Sequence, residues 1–364
     1  MFIKDTNESI DQMTSVEILR LRTKQKMIKS TIRVLSLLLM AGILIAVGGA
    51  ITAWYKGYDL SNLGNAVFQP DPEENPLRPL NSSNFFAQSK WMGDIEEIAL
   101  NESSGLASSN LTDDVLWSIN DSGDSARIFA MTTAGGDLGE WAINLPEPTD
   151  WEAMDSFVFD DTAYLLIADV GDNLSWRPYA SLLVVPEPDL TQSNETPIEA
   201  VWQQKFRYPD GPRDCEAVAV DVGRGEILLM TKRLAPNELY RIPLKHMNDS
   251  NDEVIVAEKI AIIDSIPRPS PEEARLFGAA GPYMGMPTGM TSSGNNLLVT
   301  TMQNAYLLNR ADLSQPAVTI KLPFIGQREA ITFARNSATT AYVSRERKKG
   351  KEVADIFRLD FATE

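Results

Sequence analysis

The chain has 364 residues, 43% apolar and 23% charged, with a formal net charge of −17, so it can bury a sizeable core and has the composition of a folded protein. Such acidity argues against nucleic acid and against adhesion to anionic lipid, both of which need a cationic face. One cysteine, Cys215, and one histidine, His246, exclude an intrachain disulfide, a thiolate metal cluster within one chain and zinc held by several histidines.

Residues 1–33 are a basic-acidic stretch carrying Lys4, Arg20, Arg22, Lys24, Lys26, Lys29 and Arg33. From Val34 to Tyr55 there are 22 uncharged residues, which at about 1.5 Å per helical residue cross a hydrocarbon core about 30 Å thick. A transmembrane helix over 34–55 is predicted. Beyond it only Lys56 precedes Arg78, so the positive-inside bias puts the N-terminus in the cytoplasm and the rest outside, periplasmic in a Gram-negative cell. A cleaved signal peptide fits less well, because both the leader and the apolar run are too long for one. Residues 56–84 are rich in proline and polar side chains and read as an extended linker. Removing the eight basic and four acidic residues of 1–56 leaves 25 basic and 46 acidic residues, a formal −21 for the outer part.

Residues 85–364 read as all-β, in short runs of Val, Ile, Leu, Phe and Tyr broken by Gly, Pro, Asn and Asp. Five starts align: "SGLASS" at Ser104, "EAMDSF" at Glu152, "EAVAVD" at Glu216, "TGMTSS" at Thr288 and "EAITFA" at Glu329, spaced 48, 64, 72 and 41 residues apart. Each is followed by a second and a third strand, and four of them by a fourth. Four-stranded units at this period predict a β-propeller, with five blades or, if a long spacing hides one, six. The fifth repeat runs out of chain after "DIFRLDF"; "DIEEIALNE" (Asp94 to Glu102) is the expected closing strand. The Pro-rich "SIPRPSPEEARLFGAAGPYMG" is read as an insertion.

In an antiparallel blade the start of strand one and the end of strand two share a face. Ser104, Glu152, Glu216, Thr288 and Glu329 are therefore expected to ring one mouth of the axial channel, beside the strand-two ends Asn120, Asp169, Lys232, Thr301 and Arg345. Carboxylates converging there must be neutralised, either by pairing (Glu216 with Lys232, Glu329 with Arg345) or by a bound cation. Two turns, "NDSGDSAR" and "DVGDNLSWR", place acidic residues around a Gly-Asp pair. Asp121, Asp124, Asp169 and Asp172 in them, with Glu152 and Glu216, form an oxygen-rich candidate set for calcium; alternatively the turn residues bond their own backbone. Cys215 sits in an apolar strand pattern that points to packing, and His246, in "PLKHMNDSNDE", has none of the framing of a catalytic base.

The segments "SGLA", "LWSINDSGD", "DWEAM", "LLIADVGDN" and "EAVAVD", spread over Glu102 to Leu359, resemble a mostly uncharacterised group of exported bacterial β-propeller proteins, near the phytase-like, esterase-like and NHL-type propellers. The resemblance implies the fold. β-Propeller phytases hold calcium at an acidic channel mouth, and the chain is similar to them in its D-x-E-A starts. It departs from them at Ser104 and Thr288 and in having no dense Lys/Arg cluster. The leading expectation is a membrane-anchored exocytoplasmic module that binds a small molecule or an envelope protein at an acidic mouth, with calcium as a structural or bridging ion. The rival is a metal-dependent phosphoester or ester hydrolase, with Glu152 or Glu216 as general base and Lys232 or Arg345 steadying negative charge.

Overall fold

Every repeat opens on a strand buried on both faces, as a strand flanked by neighbours on either side must be. The computed structural model describes residues 88–145, 148–244, 253–322, 328–347 and 354–360; the predicted segments 1–33, 34–55 and 56–84, and His246, lie outside them. Among the described residues no helix is long and apolar enough to cross a membrane.

Strand β1 (Gln88–Asp94) precedes five repeats. The first is β2 (Ser103–Ser108), β3 (Val115–Asn120), β4 (Arg127–Thr132) and β5 (Asp137–Ala142); the second is β6 (Trp151–Phe159), β7 (Thr162–Asp169), β8 (Ala180–Pro186) and β9 (Trp202–Arg207). The third is β10 (Cys215–Asp221), β11 (Glu226–Thr231) and β12 (Asn237–Pro243), followed by the short β13 (Ile255–Val256) and by β14 (Glu258–Ile263). The fourth is β15 (Pro287–Ser293), β16 (Asn296–Thr301), β17 (Asn304–Asn309) and β18 (Val318–Lys321), and the last is β19 (Arg328–Phe333), β20 (Thr340–Arg345) and β21 (Asp355–Asp360).

Each repeat folds into its own antiparallel sheet, and the five inner strands touch in the order β2, β6, β10, β15, β19 and back to β2. The ring is thus a closed five-bladed β-propeller, with no place for a sixth blade. Burial grades outward: β2, β10 and β19 are buried at every position, whereas the outer β9 alternates buried and exposed residues strictly, as a strand with one solvated face does. Five apolar clusters form the core, one between each pair of neighbouring blades. That between the first and second blades, for example, joins Trp117, Ile128 and Trp141 to Met154, Ile167 and Leu183. Cys215 is buried in the cluster between the second and third blades, and burial pushes its thiol up to about 12, which leaves it inert as a nucleophile.

Three sequence expectations are corrected. The chain closes N-terminus to C-terminus as anticipated, but the closing strand is β1, paired antiparallel with β21 from Gln88↔Asp360 to Asp94↔Asp355; most of "DIEEIALNE" is the connection that follows. β1 alternates weakly and keeps Trp91 55% exposed, so its pattern gave little signal. The run "VIVAEKIAII" is two strands, since β13 joins the second blade in parallel with β9 while β14 completes the third. The first blade's outer strand begins at Asp137, three residues before the predicted "EWAINL". The Pro-rich stretch is an insertion, holding a short helix α1 (Pro271–Leu276) with Ser270 and Glu273 in a capping box.

Removing β1 would leave β21 as an unpaired edge. A chain beginning at residue 95 is expected to unfold at lower urea than one beginning at residue 88, and to aggregate; equal midpoints would contradict closure through β1.

Candidate functional site

All five aligned starts occupy one structural position. In every blade the strand-one ladder skips a residue at its first turn, and the skipped residues are Ser104, Glu152, Glu216, Thr288 and Glu329. Each is a β-bulge, which re-aims a side chain out of the regular pleat, and all five are at most 6% exposed. The five aligned starts are therefore one bulge repeated in every blade. Its partner position is the residue just after the ladder ends on strand two. In the first, second and third blades the backbone N–H of that residue, or of its neighbour, returns to the residue two before the bulge: Asp121 N donates to Glu102 O at 3.1 Å, Gly171 N to Asp150 O at 3.2 Å and Lys232 N to Asp214 O at 2.9 Å.

The resulting ring is strongly acidic. Asp121, Asp150 and Glu152 each bring a carboxylate oxygen within 4.8 Å of the others, the one such trio among the described residues. Ser104 Oγ donates to Glu152 Oε2 at 3.0 Å. Burial raises Glu152 well above the usual carboxylate range, and the charges of Glu216 and Asp121 raise it further. Burial likewise takes Asp150 up to about 7, helped by its contact with Asp121 and opposed by Arg177. Glu216 reaches about 7 for the same first reason, against the pull of Lys232. Glu346 is raised by burial and then by Glu329, Glu102, Asp121 and Glu216, which ties the fifth blade into the same cluster.

Lys232 brings an ammonium into this ring. Its ammonium pairs with Glu216 Oε1. Burial alone would lower its pKa, yet Glu216, Glu329 and Glu152 hold it raised. The predicted Glu216–Lys232 pairing is thus present. Arg345, expected opposite Glu329, forks onto Asp355 with Nε to Oδ1 at 2.7 Å and Nη2 to Oδ2 at 2.9 Å.

The remaining predicted ligands have hydrogen-bond and ion-pair partners of their own. Asp124 accepts from Asn120 Nδ2 at 2.7 Å and pairs with Arg127 at 2.8 Å. Asp169 pairs with Arg177 at 2.5 Å and accepts from Thr149 N and Asp150 N. Asp172 accepts the backbone N–H groups of Trp176 and Arg177 at 3.0 and 2.9 Å, the local turn bonding that short acidic side chains favour. Asp150, Asp214 and Glu346 were not singled out from the sequence. Asp150 had a readable signal: in "DWE" and "DCE" an acid two residues ahead of the bulge falls on the same face of the strand. Asp214 accepts from Asp172 N at 3.0 Å and pairs with Arg233 at 2.5 Å.

The insertion borders the ring. Arg268 donates at 2.6 Å to the carbonyls of Lys232, Leu234 and Gly285, fixing the loop that carries Lys232. Neither of two surface cavities is lined by Asp121, Asp150 or Glu152. One of about 120 Å³ is lined by Tyr179, Tyr208 and Arg213; the other, of about 580 Å³ and widely open, by Asp221, Arg224 and Asn295.

No protein-family model matches the chain, and no curated protein matches it. Among solved structures it is similar to the PQQ-bound form of an aldose sugar dehydrogenase from Streptomyces coelicolor (TM-score 0.44, 10% identity, 76% of this chain and 98% of that one). It is also similar to a chain of the nidogen–laminin complex (TM-score 0.39, 14% identity, 72% and 86%). A third is a gluconolactonase from Xanthomonas campestris (TM-score 0.38, 8% identity, 78% and 96%). These likenesses are of fold alone.

Two outcomes follow from this geometry. A Cβ on Gly171 would lie 2.8 Å from Glu152 Cγ and against the Asp150 carboxylate, so Gly171→Ala should cost about 1–3 kcal/mol in urea unfolding, the usual range for overpacking. Asp150, Asp155 and Glu216 have folded pKa values of about 7, against about 4 in an unfolded chain. The folded state binds more protons in that interval, so in chelator stability is greatest near pH 4 and falls as pH rises through 7. Thermal melts should show this slope, and Asp155→Asn should flatten it.

Proposed function

We propose that the propeller is a binding module whose axial carboxylates take up a divalent cation, calcium before others. The observation that supports this is the trio Asp121, Asp150 and Glu152, gathered within 4.8 Å from two blades. Three buried or half-buried carboxylates repel one another unless protons or a cation neutralise them, and the ring's ammonium is committed to Glu216. An all-oxygen donor set, with the Ser104 hydroxyl beside it, suits a hard cation better than zinc or copper. The ion would brace the blades around the mouth and offer a positive centre to an anionic group of a small molecule or envelope protein. The apolar run 34–55 and its basic N-terminal flank support a single N-terminal membrane anchor with the propeller outside the cytoplasm.

A second reading rests on Glu216. Its Oε2 is buried without a hydrogen-bond partner and its carboxyl titrates near neutrality, the properties of a general base. In a metal-dependent phosphoester or ester hydrolase it would take a proton from water while the ion polarised the substrate oxygen.

Equilibrium dialysis of the full chain against calcium tests the ion that both readings need, and a hydrolysis assay separates them. Retention of calcium that drops more than tenfold in Asp121→Asn and Glu152→Gln supports the cation site, and no retained ion at millimolar calcium removes it. Calcium-dependent hydrolysis of an aryl phosphate or aryl ester, lost in Glu216→Gln, would move the assignment to the hydrolase.

A further inference from the structure

The ring contains two D-x-E starts, Asp150 with Glu152 in the second blade and Asp214 with Glu216 in the third, and they are neutralised differently. At the position following strand two the third blade has Lys232, whose ammonium meets Glu216. The second blade has Val170 there, apolar and fully buried. Glu152 consequently faces a hydroxyl and two further carboxylates, and the Lys232 ammonium, in direct contact with Glu216, bears on it through charge alone. Lys232 is held by its backbone on both sides, its N–H on Asp214 O and its carbonyl on Arg268, so the ammonium is fixed where an ion would stand. Glu216 is only 4% exposed, and its second oxygen is buried with no hydrogen-bond partner. That oxygen is an open acceptor in the same ring, close enough for its charge to bear on Glu152.

We infer that the axis holds two cation positions and that Lys232 permanently fills one of them, leaving the position at Asp121, Asp150 and Glu152 for a single divalent ion. The inference rests on the cation reading given above and adds its stoichiometry. Lysine here is a tethered counter-ion in the third blade, doing for Glu216 and Glu329 what the free ion does for the second blade. A positioning role for Lys232 through packing alone would leave the ion count unchanged when its charge is removed.

The test counts calcium ions bound per full chain by equilibrium dialysis, with melting temperature followed in chelator and in calcium. Wild type should bind one ion and Lys232→Met two. Lys232→Met should also melt lower than wild type in chelator and gain more from calcium. Adding Glu216→Gln to Lys232→Met should return the count to one. No ion in wild type defeats the cation reading itself. One ion in both wild type and folded Lys232→Met overturns the two-position inference while leaving the cation site standing, as does a count of two that persists in the double variant. Should Lys232→Met not fold in calcium, Lys232→Gln, whose amide can still donate to Glu216, is counted by the same criterion. Failure of both to fold with calcium present also overturns the inference, because a second ion should replace the lost ammonium.

Discussion

A carboxylate taken out of water costs several kcal/mol unless a partner neutralises it, and this propeller turns Glu152, Glu216 and Glu329 onto one axis, none more than 6% exposed. Asp121, Asp150 and Glu346 stand around them. Everything distinctive about the mouth answers that accumulation of charge. Ser104 supplies a donor to Glu152, Lys232 an ammonium to Glu216, Arg177 a guanidinium to Asp169 beneath Asp150, and protons are held to near neutral pH on several of the acids. Hydrophobic burial between blades supplies the stability against which this unfavourable charge is held in place.

The scaffold makes such convergence possible through a repeated bulge rather than through special loops. Five antiparallel sheets present the same distortion at the same place, so a point change at one residue per blade alters what faces the axis without disturbing the ladder behind it. The fourth blade shows the consequence. Its bulge residue is Thr288, whose hydroxyl donates to Arg328 O at 2.8 Å, and it brings no charge. The fourth blade therefore adds no carboxylate to the ring at its bulge, and the insertion borders the ring through Arg268 on the Lys232 carbonyl.

Much of this was legible in the sequence, for a physical reason: the bulge residue precedes a fully buried strand, so an acid or hydroxyl followed by a small and then an apolar residue recurs with each blade. The strand-two ends were less securely aligned. Lys232 was grouped with Asn120, Asp169, Thr301 and Arg345, but the register places Thr231 with that set and Lys232 one residue later, level with Asp121 and Glu346. A one-residue shift reverses the face of a strand, and no local pattern marks where a ladder ends. The Gly-Asp turns were ambiguous in principle. Whether Asp124 and Asp172 bind an ion or their own turns depends on Arg127, Asn120 and the loop backbone, whose directions only the folded chain fixes.

The ring is closed by pairing β1 with β21, segments separated by almost the whole propeller. During synthesis β1 must wait, partnerless, until β21 has been translated, and contacts so distant along the chain form slowly. The nascent molecule is accordingly an open arc with one sticky end for most of its life on the ribosome, and its four complete sheets can assemble well before the circle is sealed.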